Sequence, residues 1–373
     1  MAKLLLYALS ISLYTNQLHA AAAFPPDTNV QYIPVKYSQL NGWKTAEQLH
    51  SYYALENSCK SIINSSNYDN TWLNACKAVL NANINTNQQA RALFERYFTP
   101  YLIKDNNTTK GLFTGYFEPF LQGSLTPSKV YNIPLYKTPE ELVRKKINGK
   151  IRYGYMVKGK LTPFYTREEI ANNPNLIPKE DVLLWVKSRI DRTFLQIQGS
   201  GRIILPDGKK LLVGYAGQNG QPYRPIGRYL LQNKLVPRDQ ITMQSIRAWL
   251  ENHPTQRDKV LNFDPSFVFF KFVDQENPVG SQGIPLTPGY SLAIDPKYYQ
   301  YGTPIWLDTT YQTPDKKENK LNRLLIAQDS GGAIKGPIRG DVFWGNGKLA
   351  EYYAGHMKHK GSMYILLPKA IDK

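Results

Sequence analysis

The spacing of apolar residues changes character once along the chain. Between residues 45 and 101 apolar side chains recur at helical spacing, most clearly Ala90, Leu93, Phe94, Tyr97 and Tyr101, and Thr99-Pro100 predicts where the last helix is cut. A small helical lead-in is expected there. After Gly111 the pattern turns to short alternating runs broken by turn residues. Gly111-Leu112-Phe113-Thr114-Gly115-Tyr116-Phe117-Glu118-Pro119 reads as a strand bracketed by Gly and Pro. The clearest predicted hairpin runs from a strand at 193–198 through Gly199-Ser200-Gly201 to 202–205, the turn Pro206-Asp207-Gly208, and 211–215. In that turn Pro presets φ and Gly supplies a positive φ.

A helix is predicted to return at 242–250, with Thr242 or a near neighbour as its cap and His253-Pro254 as its stop. Residues 266–273 form a continuous apolar run of strand length, which predicts a strand buried on both faces. From 280 to 368, strands at 303–307, 324–327 and 363–367 alternate with Gly-rich connections. The sequence holds no internal repeat and no low-complexity segment.

The length of 373 residues allows about two domains, and 42% hydrophobic residues exclude wholesale disorder. No apolar stretch reaches the length of a membrane span. Lys and Arg number 46 against 29 Asp and Glu, a net charge of +17, and the imbalance reads as scarce acids rather than basic runs. It points to an anionic partner or surface. Residues 1–22 have the order of a secretory signal: Lys3, an apolar run over 4–14, then Ala20-Ala21-Ala22. A short buried helix is the other reading of this segment. No Cys lies near the expected cleavage point, so acylation of a new N-terminal Cys is not expected. Cys59 and Cys76 are the two cysteines, and in an exported chain they predict a disulfide that closes its loop for roughly 3 kcal/mol. Two separate buried thiols are the alternative.

Several motifs fail on chemistry. Gly154-Tyr155-Met156-Val157-Lys158-Gly159-Lys160 has phosphate-loop spacing, but Leu161 stands where Ser or Thr is needed for Mg²⁺. His356 and His359 lack further ligands and read as a solvated pair, so no metal and no cofactor are expected. Gly199-Ser200-Gly201 lacks the spacing of a nucleophile elbow. Nucleic-acid binding is not expected, since no basic cluster interleaved with aromatics stands out.

The chemistry concentrates in residues 328–347, where six glycines in twenty residues free the backbone to approach a ligand closely. Asp329 and Asp341 sit twelve apart across this stretch, and Ser291-Leu292-Ala293-Ile294-Asp295-Pro296 contributes a third aspartate. Asp329 and Asp295 also read as turn and cap residues bonding their own backbone. Asp341 precedes Val342-Phe343-Trp344, an apolar setting that raises a carboxyl pKa and suits a general acid.

The chain resembles the membrane-bound lytic murein transglycosylases of type A with their C-terminal "3D" module. The resemblance runs from about residue 111 to 368. It rests on Gly115-Tyr116-Phe117-Glu118-Pro119, Gln196-Ile197-Gln198-Gly199-Ser200-Gly201, Gly214-Tyr215-Ala216-Gly217-Gln218-Asn219-Gly220 with Tyr223 and Gly227, Pro285-Leu286-Thr287-Pro288-Gly289, and the two aspartate-bearing stretches. It implies a mainly β chain with N-terminal helices: a double-psi β-barrel plus an inserted second, β-barrel-like domain, with glycan in the groove between. The implied division is a signal at 1–22, a lead-in and barrel from 23–119 and 237–373 with the 3D module at about 280–368, and an insert at 120–236. By matching positions Asp341 is the acid/base and Asp329 and Asp295 are companion aspartates. Gln198 and Ser200 line the groove, with Tyr116, Gln218 and Lys335 as further substrate-binding positions. The resemblance implies cleavage of peptidoglycan glycan strands to 1,6-anhydro ends. Expected partners are those strands, with a murein synthase or other cell-wall complex allowed, and a monomer is expected. The expected location is the periplasm with outer-membrane association, although the family's lipobox Cys is absent. A two-carboxylate hydrolase using Asp341 with Asp329 or Glu118, and a non-catalytic peptidoglycan-binding module, are the competing readings.

Overall fold

The computed structural model describes residues 29–370, Gly149 excepted, so the expected signal at 1–22 lies outside the described residues. Strand β1 (Val30–Pro34) precedes three helices, α1 (Leu49–Ile62), α2 (Asn70–Asn81) and α3 (Asn87–Tyr97). Local chemistry starts two of them. The Asp69 carboxylate accepts from Trp72 N at α2, and Thr86 and Gln89 form a reciprocal capping box at α3. Cys59 of α1 and Cys76 of α2 are joined as a disulfide, with 5.0 Å between their Cα atoms. The helices bury Tyr52, Leu55, Trp72 and Phe94 around Trp43, which meets Trp306 edge-on at 5.2 Å. Strands β2 (Phe98–Asp105) and β3 (Gly111–Glu118) follow.

Past Pro119 the chain builds a second sheet. Strands β4 (Phe120–Ser124) and β5 (Ile133–Tyr136) lead to a three-stranded meander, β6 (Val143–Ile147), β7 (Lys150–Val157) and β8 (Lys160–Pro163). Helix α4 (Arg167–Asn172) and strand β9 (Val182–Val186) come next, then helix α5 (Arg189–Gln198) and the hairpin β10 (Ser200–Ile204) and β11 (Lys210–Gln218). Helices α6 (Ile226–Gln232), α7 (Met243–Asn252) and α8 (Pro254–Asn262) precede strand β12 (Val268–Phe272). The sheet order is β12-β11-β10-β4-β9-β5, and its end strands approach one another without pairing among the described residues.

One expectation needs correction here. Residues 193–198 are not a strand but the end of α5. Ser188 caps that helix by accepting from Asp191 N, Gly199 ends it at φ +82°, and Ile190 and Phe194, one turn apart, pack into the cluster of α6–α8. The run at 266–273 is buried on both faces over Phe267–Phe270, with Phe267 and Phe269 in one apolar cluster and Phe270 in another, and only Lys271 and Phe272 at its end are exposed. His253-Pro254 ends α7, as expected, but Pro254 also occupies the first turn of α8, where its missing N–H is no loss.

The C-terminal part supplies β13 (Ser291–Ile294), β14 (Pro304–Gln312), β15 (Glu318–Ser330), β16 (Arg339–Asn346), helix α9 (Gly347–His356) and β17 (Lys358–Pro368). Strands β17, β14, β15, β13, β16 and β3 form a closed ring, because β3 pairs with both β16 and β17. Two of its pairings, β13 with β15 and β16 with β3, are parallel. This is the double-psi barrel, filled by Phe113, Leu292, Ile305, Leu325, Val342 and Ile365. One barrel strand, β3, precedes the second sheet and the other five follow it.

Candidate active site

The barrel brings the acids into one row. Strand β13 lies between β15 and β16, and Ala293 faces Asp329 on one side and Asp341 on the other. Asp341 in turn stands opposite Thr114 of β3. The ladder spacing between strands puts the two aspartate backbones about 10 Å apart, and residues directly opposite share a face. Asp329 enters this row through an irregularity. Leu292 pairs with Ala327 and Ala293 with Asp329, so Gln328 is the extra residue of a β-bulge. Without the bulge Gln328 would occupy the row. Its amide is fully buried and donates to Ala54 O at 2.7 Å and Ser58 Oγ at 2.9 Å, both on α1, while accepting from Ser291 Oγ. Helix α1 thereby pins the bulge. Ser58 Oγ also donates to Gln282 Oε1 at 2.9 Å, which ties the loop carrying Ser281 to the same helix.

The two carboxyls differ in their partners. Asp341 Oδ1 accepts from Thr114 Oγ1, whose oxygen accepts in turn from Arg339 Nη2 at 2.8 Å. Desolvation raises the Asp341 pKa, the nearby Arg339 charge and the Thr114 hydroxyl oppose the rise, and the Asp329 charge adds to it. Asp329 accepts from Tyr116 Oη at 2.8 Å on Oδ2, and on Oδ1 from Ser281 N, Ser281 Oγ and Ser330 N at 2.9, 2.8 and 2.8 Å. Desolvation raises its pKa too, against the pull of these donors. Tyr116 packs on Phe343 at 5.2 Å, and burial beside Asp329 pushes its hydroxyl well above the ordinary value. Asp295 is buried and acts as a staple between loops, accepting from Lys297 N at 3.2 Å and Gly336 N at 2.9 Å. Lys335 is exposed next to that staple.

The structure thus gathers Asp341, Asp329, Asp295, Tyr116 and Lys335 around the glycine-rich loop. The remaining expected positions belong to the second sheet, and none of them bonds to the row among the described residues. Gln198 ends α5 and accepts from Phe117 N at 2.9 Å, joining α5 to β3. It lines a cavity of about 590 Å³ between α5, α7 and α9. Ser200 is buried at the start of β10 opposite Gly214, and Gln218 ends β11 opposite Val268. Glu118 is fully buried, with Arg202 Nε at 2.8 Å and Asn346 Nδ2 at 3.3 Å. No group of three or more His, Cys, Asp or Glu side chains is arranged to hold a metal among the described residues.

Sequence reasoning did not single out Thr114 or Ser281, which lie far from the aspartates along the chain, nor Arg339 and Gln328, which flank them as ordinary polar residues without a distinguishing signal. Tyr223 appeared in a motif without a role. It is half-buried and electrostatically coupled to both Asp264 and Asp341, and a Cβ at Gly332 would lie 4.0 Å from its own Cβ. The second sheet therefore meets the glycine-rich loop at Tyr223. Beneath it Arg167 and Asp264 form a buried ion pair at 3.4 Å, and Asp264 Oδ1 accepts from Arg224 N at 3.0 Å, which fixes the chain next to Tyr223. Desolvation lowers the Arg167 pKa, opposed by Asp264. The pairing is a stability device in which removing one partner strands the other.

Fold and site together define a barrel-based protein with two aspartates in one row of the barrel, near the point where Tyr223 approaches the glycine-rich loop. The family profile described as the MltA specific insert domain matches residues 112–271, and that of the 3D domain matches 290–367. The chain belongs to the MltA family with a C-terminal 3D domain. It is 33% identical to membrane-bound lytic murein transglycosylase A of Escherichia coli K12 over 236 residues, 62% of this chain and 64% of that protein. It thus spans just under two thirds of that relative. A membrane-bound lytic murein transglycosylase structure from Agrobacterium tumefaciens superposes with a TM-score of 0.81 at 29% identity, covering 91% of this chain and 98% of that one. The Escherichia coli MltA structure with bound chitohexaose gives 0.66 at 26% identity, covering 91% and 92%.

Proposed function

We propose that this protein is a lytic murein transglycosylase that cleaves the β-1,4 bond between N-acetylmuramic acid and N-acetylglucosamine and leaves 1,6-anhydro-muramyl ends, with Asp341 as its single acid/base. The observation that carries this reading is the difference in carboxyl engagement. Asp341 meets one side-chain donor, Thr114, in a desolvated setting that favours its protonated form. Asp329 Oδ1 already accepts three hydrogen bonds, and Glu118 is sealed against Arg202 and Asn346. A hydrolase needs a second carboxyl free to activate water or attack the sugar. Neither companion is free in that sense.

A transglycosylase dispenses with the second group. Asp341 donates its proton to the glycosidic oxygen. The carboxylate then removes the proton from the muramyl C6 hydroxyl as that oxygen bonds to C1, so the substrate supplies its own nucleophile and the acid is regenerated. Each proton transfer contributes on the order of 10²–10⁴-fold, and an intramolecular hydroxyl supplies the proximity term. Asp329, held by Tyr116 and Ser281, lies on the same row to oppose positive charge developing at C1.

The glycan is placed in the cleft where Tyr223 approaches Gly332, with Gln198, Ser200, Gln218 and Lys335 as more distant contacts along it. That a relative was solved with chitohexaose supports a glycan ligand. The inserted domain is read as extending past 236 to about residue 272, because β12 completes its sheet. The proposed location is the periplasm, and one copy of the chain suffices for the reaction. No helix among the described residues is long and apolar enough to cross a membrane. Mass spectrometry of products from purified glycan strands tests the reading. Fragments lighter than the hydrolytic product by one water are expected, and reducing-end products would replace it with the hydrolase.

A further inference from the structure

The positive charge does not come from scarce acids alone, since one stretch of the chain is a basic run. Residues 143–163 contain Arg144, Lys145, Lys146, Lys150, Arg152, Lys158 and Lys160 and not one Asp or Glu. They fold side by side as the meander β6–β8. None of Arg144, Lys145, Lys146, Arg152, Lys158 and Lys160 has an ion-pair partner among the described residues. Like charges packed this closely repel unless a counter-charge arrives from outside.

The two faces of the meander differ. On one, Tyr155 stacks on Tyr165 at 5.2 Å and meets Phe164 edge-on, and Tyr153 packs against Gly220 of the cleft loop. Strand alternation and register place Lys145, Ile147, Arg152 and Met156 together on the other, where all four are exposed. Ile147 is 42% and Met156 38% exposed, and Ile151 and Val157, at the two ends of β7 on the opposite face, are open to solvent as well. Cations interleaved with bare aliphatic side chains match the chemistry of a surface lying in a bilayer interface. A polyanion such as a nucleic acid or an acidic glycan rewards charge and aromatic stacking instead, and the tyrosines here are turned inward.

We propose that this face docks on a bilayer rich in anionic phospholipid, with Lys145 and Arg152 against headgroup phosphates and Ile147 and Met156 at the acyl boundary. Because Tyr153 touches the cleft loop, docking holds the cleft beside the membrane. The proposal is independent of the reaction at Asp341.

The test is co-sedimentation of the purified protein with vesicles of phosphatidylcholine alone and of equal parts phosphatidylcholine and phosphatidylglycerol, at physiological salt. Binding to the anionic vesicles only is expected. Lys145→Glu/Arg152→Glu should weaken it by at least roughly 30-fold. Ile147→Ser/Met156→Ser should weaken it several-fold and make the remainder more sensitive to salt. Both double variants should keep the wild-type melting temperature and turnover of soluble glycan strands. Equal binding to both vesicles, binding to neither, or undiminished binding by the charge variant would overturn the proposal. So would a wild type that ignores vesicles but adheres to isolated sacculi through Lys145 and Arg152, since the partner would then be the polymer.

Discussion

Asp341 and Asp329 occupy the same barrel row, one on each side of Ala293, and yet they live in different chemistry. Asp329 sits on a bulge with both oxygens engaged by Tyr116, Ser281 and Ser330. Asp341 sits on a regular strand with a hydroxyl on one oxygen and a guanidinium one bond further away. Burial raises both carboxyls. What separates them is freedom: one is an anchored acceptor and the other can still exchange a proton. Identical side chains stand in distinct settings because the neighbours differ, as in other paired-carboxyl sites.

The sharpest way to break this comparison is to neutralise each acid in turn. Asp341→Asn should lower turnover of glycan strands by two to four orders of magnitude while the melting temperature stays near that of the wild type. If Asp329→Asn were equally inert, the distinction between the two would fail. We expect it to lose about 100-fold. The introduced amide would keep its oxygen toward the Ser281 and Ser330 N–H donors and set its NH2 against Tyr116 Oη, which loses its acceptor, costing about 1–3 kcal/mol in thermal or urea denaturation.

Gln328→Ala tests whether the bulge sets the position of Asp329. It strands Ala54 O, Ser58 Oγ and Ser291 Oγ in a buried site, so a stability loss of about 2–4 kcal/mol is expected, with a smaller fall in turnover than for Asp329→Asn.

The mildest change is Arg339→Gln, which sharpens the comparison through pH. A general acid acts while protonated, so with Asp341 in the proposed role activity should fall as pH rises through its pKa. Arg339 lowers that pKa, and its removal should shift the alkaline limb of the pH-rate profile upward. The Asp329 charge raises it, so Asp329→Asn should shift the same limb downward. Two shifts of the same sign would contradict the assignment of Asp341.

Much of the scaffold was legible where local signals agree with packing. The strand from Gly111 to Glu118, the hairpin across Pro206-Asp207-Gly208 and the helix after Thr242 all form as their residues predict. Residues 193–198 misled because Leu195-Gln196-Ile197-Gln198 alternates apolar and polar, a strand pattern over four residues. The longer window contains Ser188 as cap, Gly199 as terminator and Ile190 one turn before Phe194, and packing against α6–α8 decides for the helix. The apolar run from Phe267 to Phe270 is buried on both faces as its hydrophobicity predicts, and only its end, Lys271 and Phe272, is open. The site shows the same division. Asp341 announced itself by its apolar followers, while Gln328 looked like any polar residue beside Asp329.

By itself the sequence determined which residues were available to do chemistry: few carboxylates, a glycine-rich stretch with Asp329 and Asp341 at its ends, and two cysteines within one helical segment. Only the tertiary structure decided which of them meet. Thr114 reaches Asp341 across 227 positions, Tyr116 reaches Asp329 across 213, and Ala54 holds Gln328 across 274. Such contacts follow from strand order, register and one bulge. These are settled by the burial of whole sheets and helices, so no local run of residues can encode them alone.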